Sequence, residues 1–122
     1  MTSSSRERVP ACLFCRIVAG EIPSTRVAEG EGVVAIRDIA PQAPTHVLIL
    51  SRDHLPSAAD LGAADGPLLA EAFRLAASIA TSEGMDRAGY RIVTNVGRDG
   101  GQTVDHLHFH LLGGRAMTWP PG

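Results

Sequence analysis

Cysteine is scarce in this chain: Cys12 and Cys15, three positions apart, are the only two in 122 residues. That excludes the disulfide framework of a small secreted protein. No apolar run approaches the roughly 20 residues that span a bilayer, so no membrane partner is expected. The N-terminal stretch Met1-Thr2-Ser3-Ser4-Ser5-Arg6-Glu7-Arg8 lacks the apolar core of a signal peptide, which points to a cytoplasmic protein. There is no basic cluster, and the formal net charge is −2, against a nucleic-acid partner. Internal repeats and low-complexity stretches are also missing. What remains, with 44% hydrophobic and 20% charged residues, is the composition of one globular domain.

Residues 1–10 are polar, end in Pro10 and read as a flexible tail, leaving residues 11–122 as the single domain. Residues 12–19 carry apolar side chains at three- and four-residue spacings and are stopped by Gly20, which predicts a short helix. Residues 26–29 and 33–38 form a hairpin pattern around Gly30-Glu31-Gly32. Pro41 and Pro44 make residues 39–44 a turn, because each proline removes a donor and restricts the residue before it. Residues 45–51 read as a strand, followed by a polar turn with His54 and Pro56.

From Asp65 to Glu83 the period changes to that of a helix, with Leu69, Ala72, Phe73, Ala76, Ile79 and Ala80 on one stripe. Asp65 is placed to cap its start, Pro67 suits the first turn and Gly84 ends it. Residues 90–95 predict a further strand. Five strands, one long and one short helix, and hairpin-like connections give an α+β domain with an antiparallel sheet.

The most informative stretch is Asp105-His106-Leu107-His108-Phe109-His110-Leu111-Leu112. Three of the chain's five histidines alternate there with large apolar residues, the period of a strand with one face in the core. Strand rise separates successive imidazoles on one face by roughly 6.5–7 Å. Ahead of them, residues 97–103 (Gly-Arg-Asp-Gly-Gly-Gln-Thr) form a glycine-rich loop whose main-chain N–H groups can approach an anion. Asn95, Gln102 and Thr103 add neutral donors to it. The loop lacks the Lys-Ser/Thr ending of a P-loop. Imidazole near neutral pH serves as nucleophile, proton donor or phosphate ligand. Loop and histidines together favour an oxygen-rich substrate such as a phosphate ester or phosphoramidate.

The run His106-Leu107-His108-Phe109-His110-Leu111-Leu112 resembles the signature of the histidine triad (HIT) superfamily of nucleotide hydrolases and transferases. Residues 38–49 resemble that family's upstream segment, and residues 95–115 with Trp119-Pro120-Pro121-Gly122 resemble its purine nucleoside phosphoramidase branch. The resemblance implies the HIT-like fold, a five-stranded antiparallel sheet with helices, and a homodimer with a continuous sheet. It implies cleavage of the P–N bond of purine nucleoside 5′-phosphoramidates, with the superfamily's dinucleoside polyphosphate hydrolysis as the near alternative. His108 matches the nucleophile, which forms a nucleotidyl-histidine intermediate that water hydrolyses. His110 and His46 match residues of the phosphate site, and His106 matches the residue whose carbonyl orients the nucleophile. Asp38 matches the ribose-binding carboxylate and Ile39 the residue beside the base. Asn95, Gly101, Gln102 and Thr103 fall at the phosphate and leaving-group positions, with threonine where close relatives are expected to carry serine. Trp119 lies in the tail that reaches toward the partner's site.

Cys12-Leu13-Phe14-Cys15, with His54 and His106, forms a second constellation. Two thiolates and two imidazoles complete a tetrahedral zinc site, structural because no coordination position stays open. The bland reading of the pair is two small buried apolar residues on a helix. Some bacterial-type members of the superfamily carry zinc through this pattern, and others lack the cysteines. Two further readings compete with the phosphoramidase: a metal-dependent hydrolase with His106, His108 and His110 as ligands, and a nucleotide-binding adaptor without catalysis.

Overall fold

The computed structural model describes residues 6–122; of the tail expected over residues 1–10, residues 1–5 lie outside the described residues. Residues 6–10 make defined contacts. Arg6 donates to both carboxylate oxygens of Asp65 at 2.6 and 2.9 Å, and its carbonyl accepts the His54 N–H. The chain then forms α1 (Leu13–Val18), β1 (Arg26–Glu29), β2 (Val33–Arg37), β3 (Thr45–Ser51), two short 3-10 turns, α2 (Gly66–Ser82), β4 (Tyr90–Val93) and β5 (His108–Gly113). The five strands form one antiparallel sheet in the order β1-β2-β3-β5-β4. Among the described residues no helix is long and apolar enough to cross a membrane.

Strand alternation divides the core between two faces. Val33, Ala35, Val47, Ile49, Leu107, Phe109 and Leu111 pack under α2 through Ala72, Ala76, Ile79 and Ala80. Val34, Ile36, Leu48 and Leu50 face the other way and pack on Phe14 and Ile17 of α1. Every residue of β3 is buried because both its faces are covered, hence the unbroken Val47-Leu48-Ile49-Leu50 run. Phe73, expected on the buried stripe of α2, is 48% exposed and reaches only the edge of Phe109, with ring centroids 5.6 Å apart.

Several sequence expectations are corrected. Strand β5 begins at His108, so His106 and Leu107 lie ahead of it and the three histidines do not share one continuous strand. β2 stops at Arg37, one residue short of Asp38, and β4 stops at Val93, two short of Asn95. Asp65 makes no side-chain cap to α2. Its carboxylate instead takes Arg6 and the Gly62 N–H, and chiefly the Arg6 hydrogen bonds hold it down at about 2.

Candidate active site

Antiparallel pairing of β3 with β5 sets Leu50 opposite His108, Leu48 opposite His110 and His46 opposite Leu112. All three imidazoles therefore emerge on the α1 face of the sheet. His108 and His110 rings lie 5.1 Å apart, closer than strand rise alone gives, and His46 and His110 rings, on paired strands, lie 5.2 Å apart.

The hydrogen bonds assign each ring's proton. His108 Nδ1 lies 2.6 Å from the carbonyl of His106. A carbonyl only accepts, so Nδ1 carries the proton, and in the neutral ring Nε2 presents a lone pair. His108 is buried, and Phe14 stands edge-on to its ring at 4.9 Å and 81°. The Gln42 N–H donates to His46 Nδ1 at 3.0 Å, which puts the His46 proton on Nε2. His46 Nε2 then donates to His110 Nδ1 at 2.9 Å, leaving the His110 proton on Nε2. One nucleophilic nitrogen and one donor nitrogen thus stand on neighbouring rings. Burial, with His108 and His46 nearby, pushes His110 down to about 4 against the opposing pull of Asp38. Burial also lowers His46, again opposed by Asp38, whose Oδ2 lies 3.4 Å from His46 Nε2.

His106 belongs to two centres. Its ring is fully buried; Nε2 donates to the Ser51 carbonyl at 2.7 Å, and burial pushes it down to about 4. Its Nδ1 keeps a lone pair facing Cys12 Sγ at 3.3 Å and Cys15 Sγ at 3.5 Å. His54 Nδ1 lies 3.3 Å from Cys15 Sγ. The ligand atoms of Cys12, Cys15, His54 and His106 all fall within 4.8 Å of one another. Main-chain N–H groups of Val9 and Cys15 point at Cys15 Sγ and Cys12 Sγ at 3.5 and 3.4 Å, while burial pushes the Cys15 thiol up against the opposing Val9 N–H. This donor set fits a tetrahedral zinc ion, with Ser51 orienting one ligand from behind.

Asp38, His46 and His110 also converge within 4.8 Å, but as a hydrogen-bonded chain. A metal on His46 Nε2 would drive the proton to Nδ1, where the Gln42 N–H already points. His106, His108 and His110 do not converge: the first ring faces the thiols, and Nδ1 of the second is held by a carbonyl.

Around these rings, Asp38 Oδ1 accepts the Ala40 N–H and leaves Oδ2 for His46 or a ligand. Ile39 is 100% exposed, Asn95 half-buried, and Thr103 and Gly101 exposed. Gln102 differs from expectation. Its Nε2 donates to the Pro56 and Val104 carbonyls at 2.6 and 3.0 Å, and its Oε1 accepts the Gly97 N–H at 2.9 Å. The amide is spent on closing the loop and frames the site without facing it. A Cβ on Gly100 would stand 2.4 Å from the Val96 carbonyl oxygen, so glycine there is a close-packing requirement. Trp119 is 82% exposed, next to Thr118, whose carbonyl accepts from Arg91. Phe14, Ser51 and Gln42 escaped the sequence reading. Phe14 was visible inside the C-x-x-C pair but read as helix core, and Ser51 acts mainly through its carbonyl, which carries no sequence signal. The broad groove between the β1–β2 turn and α2, lined by Arg52, Glu71 and Arg74, contains none of the histidines.

Residues 19–117 match the model of the HIT domain family. A purine nucleoside phosphoramidase of Escherichia coli K12 is 45% identical over 105 residues, covering 86% of this chain and 88% of the relative. A 14 kDa zinc-binding protein of Zea mays is 47% identical over 112 residues, covering 90% and 87%. The crystal structure of a HIT family hydrolase from Legionella pneumophila Philadelphia 1 superposes with a TM-score of 0.89 at 52% identity, covering 91% of this chain and 99% of that one.

Proposed function

This chain belongs to the HIT domain family, and on that premise we propose that it hydrolyses the P–N bond of purine nucleoside 5′-phosphoramidates through a nucleotide carried on His108. The observation that carries this reading is the 2.6 Å bond from His108 Nδ1 to the His106 carbonyl, which leaves Nε2 free to attack. Nε2 bonds to the α-phosphorus as the P–N bond breaks, and the departing amine takes a proton from solvent, matched in the second step by the proton that the attacking water gives up. Water then attacks the phosphorus, releasing the nucleoside monophosphate and restoring the imidazole. His110 Nε2–H donates to the phosphoryl group or the leaving amine, and His46 fixes its tautomer. N–H groups near Gly101, with Thr103 and Asn95, stabilise charge growing on the phosphoryl oxygens. Asp38 Oδ2 receives the ribose hydroxyls, and the exposed Ile39 lies against the base. The name of the E. coli relative supports the phosphoramidate over the dinucleoside polyphosphate. Initial rates on an AMP-lysine-type phosphoramidate and on diadenosine polyphosphates test the choice. Faster cleavage of the latter would reverse it.

Cys12, Cys15, His54 and His106 would hold one zinc ion, a reading the zinc-binding maize relative supports. Zinc bound there would supply a cross-link between α1, the 51–55 segment and the approach to β5, with no open position for chemistry. Two free thiols suit a reducing compartment, consistent with a cytoplasmic site of action.

Residues 11–122 would form the single domain, and two copies would pair at the β4 edge, beside the exposed Phe73 and Tyr90, with Trp119 reaching the partner's site. Light scattering at micromolar concentration that finds monomer alone would contradict the pairing.

A further inference from the structure

At the end of β5 the chain doubles back over the 39–44 turn. Gly114 has φ +90°, and a Cβ there would stand 2.8 Å from Pro44 Cβ. This close approach brings the next side chain over the turn. Arg115 Nε and Nη2 both donate to the Gln42 carbonyl, at 3.1 and 3.0 Å, and Nη1 donates to the Ala116 carbonyl at 3.1 Å. A fork closed on one carbonyl is a directional clamp, which a point charge reproduces only in part.

Gln42 is otherwise lightly held. It is exposed, follows Pro41, and its own side chain returns only to the Ala40 carbonyl at 3.0 Å. Yet its N–H is the donor to His46 Nδ1. That bond, together with Asp38 Oδ2 3.4 Å from Nε2 on the other side of the ring, sets which His46 nitrogen carries the proton, and the His46–His110 bond passes the setting to His110.

We propose that Arg115 is a positioning residue: by clamping the Gln42 carbonyl it aims the Gln42 N–H at His46 and so fixes the tautomers of His46 and His110. Arg115 touches neither imidazole. It acts through one residue of a proline-bounded turn that would otherwise drift in and out of register with His46. The effect on rate rests on the phosphoramidase reading above, whereas the effect on the tautomers does not.

The test is ¹⁵N-histidine NMR on the substrate-free full chain beside kcat and KM, comparing wild type with Arg115→Ala, Arg115→Gln and Arg115→Lys. Wild type should show His46 and His110 each protonated on Nε2 alone. Arg115→Ala and Arg115→Gln should give mixed tautomers at both rings, with kcat about tenfold lower, a part of the roughly 10²–10⁴-fold that a positioned proton donor supplies, and KM within about twofold. Lysine retains one donor and should recover part of both signals; added guanidinium ion should recover them further in Arg115→Ala. The exposed site makes misfolding of all three variants unexpected, and Arg115→Gln keeps the test open if Arg115→Ala unfolds. Wild-type tautomers in Arg115→Ala or Arg115→Gln overturn the proposal whatever the rates do. Shifted tautomers with unchanged kcat uphold the clamp and contradict instead the role given to His110.

Discussion

The main-chain oxygen of His106 accepts a hydrogen bond from His108 Nδ1 at 2.6 Å, while the ring of the same His106 faces Cys12 and Cys15 at 3.3 and 3.5 Å. One residue therefore belongs to the support of the proposed nucleophile and to the thiol cluster. Loss of the cluster should reach the proposed chemistry through this shared residue.

Replacing Cys12 or Cys15 with Ser should abolish zinc binding and lower stability. An orphaned buried ligand set costs on the order of 3 kcal/mol, roughly 10 °C in melting temperature for a domain of this size. The folded remainder should stay active, with kcat reduced about three- to tenfold as the His106 carbonyl loses its fixed position. Elemental analysis and a thermal scan check the first part. Wild-type protein purified without chelator and containing no zinc would contradict it.

Stability should fall as pH falls from about 6.5 toward about 4. Burial holds His110 at about 4 in the folded chain and lowers His46 as well, whereas unfolded histidine titrates near 6.5. In that window the unfolded chain binds more protons, so protonation favours unfolding; above about 6.5 the contribution is fully present and flat. Urea midpoints measured from pH 8 to pH 4 should be level and then decline. Midpoints unchanged down to pH 4.5 would contradict the neutral buried imidazoles.

Gly100→Ala should disturb the loop more than the fold. The added methyl would meet the Val96 carbonyl oxygen at 2.4 Å and Val96 N at 2.9 Å, and main chain cannot step aside as a flexible side chain can. Overpacking of this kind costs about 1–3 kcal/mol. The expected outcome is a 10- to 100-fold loss in kcat/KM with a melting point within several degrees of wild type. Unchanged kcat/KM would mean that the loop does not hold the phosphate.

Phe14→Leu should slow kcat with little change in KM. The ring meets His108 edge-on at 4.9 Å and His106 at 5.8 Å, contacts worth about 0.5–1.5 kcal/mol beyond area burial. A two- to tenfold fall in kcat follows if that contact steadies the nucleophile. A rise in KM alone would assign Phe14 to substrate binding.

Much of this was legible in the sequence, for reasons that differ by element. The alternation of Leu107, Phe109 and Leu111 with histidines marked two faces, and the three- and four-residue spacing from Ala72 to Ala80 marked the helix above one of them. The bend at residues 104–106 was not legible, because the alternation continues through it while His106 turns its ring toward the thiols. The Cys12, Cys15, His54 and His106 cluster was legible as chemistry, since thiols and imidazoles are rare here and were counted together. Hydrogen bonds to main chain were illegible. Ser51 and Gln42 act through a carbonyl and an N–H that every non-proline residue carries, and Gln102, expected to face the phosphate, turned out to close its own loop.

The most direct test of the proposed mechanism is rapid-quench mass spectrometry of wild-type protein during turnover of an AMP phosphoramidate, with His108→Ala in parallel. Acid-labile AMP should be found on His108 alone, formed and lost at rates compatible with kcat. His108→Ala should bind AMP yet lose nearly all turnover, more than His110→Ala does. A label on His106 or His46, or substantial turnover by His108→Ala, would contradict the account.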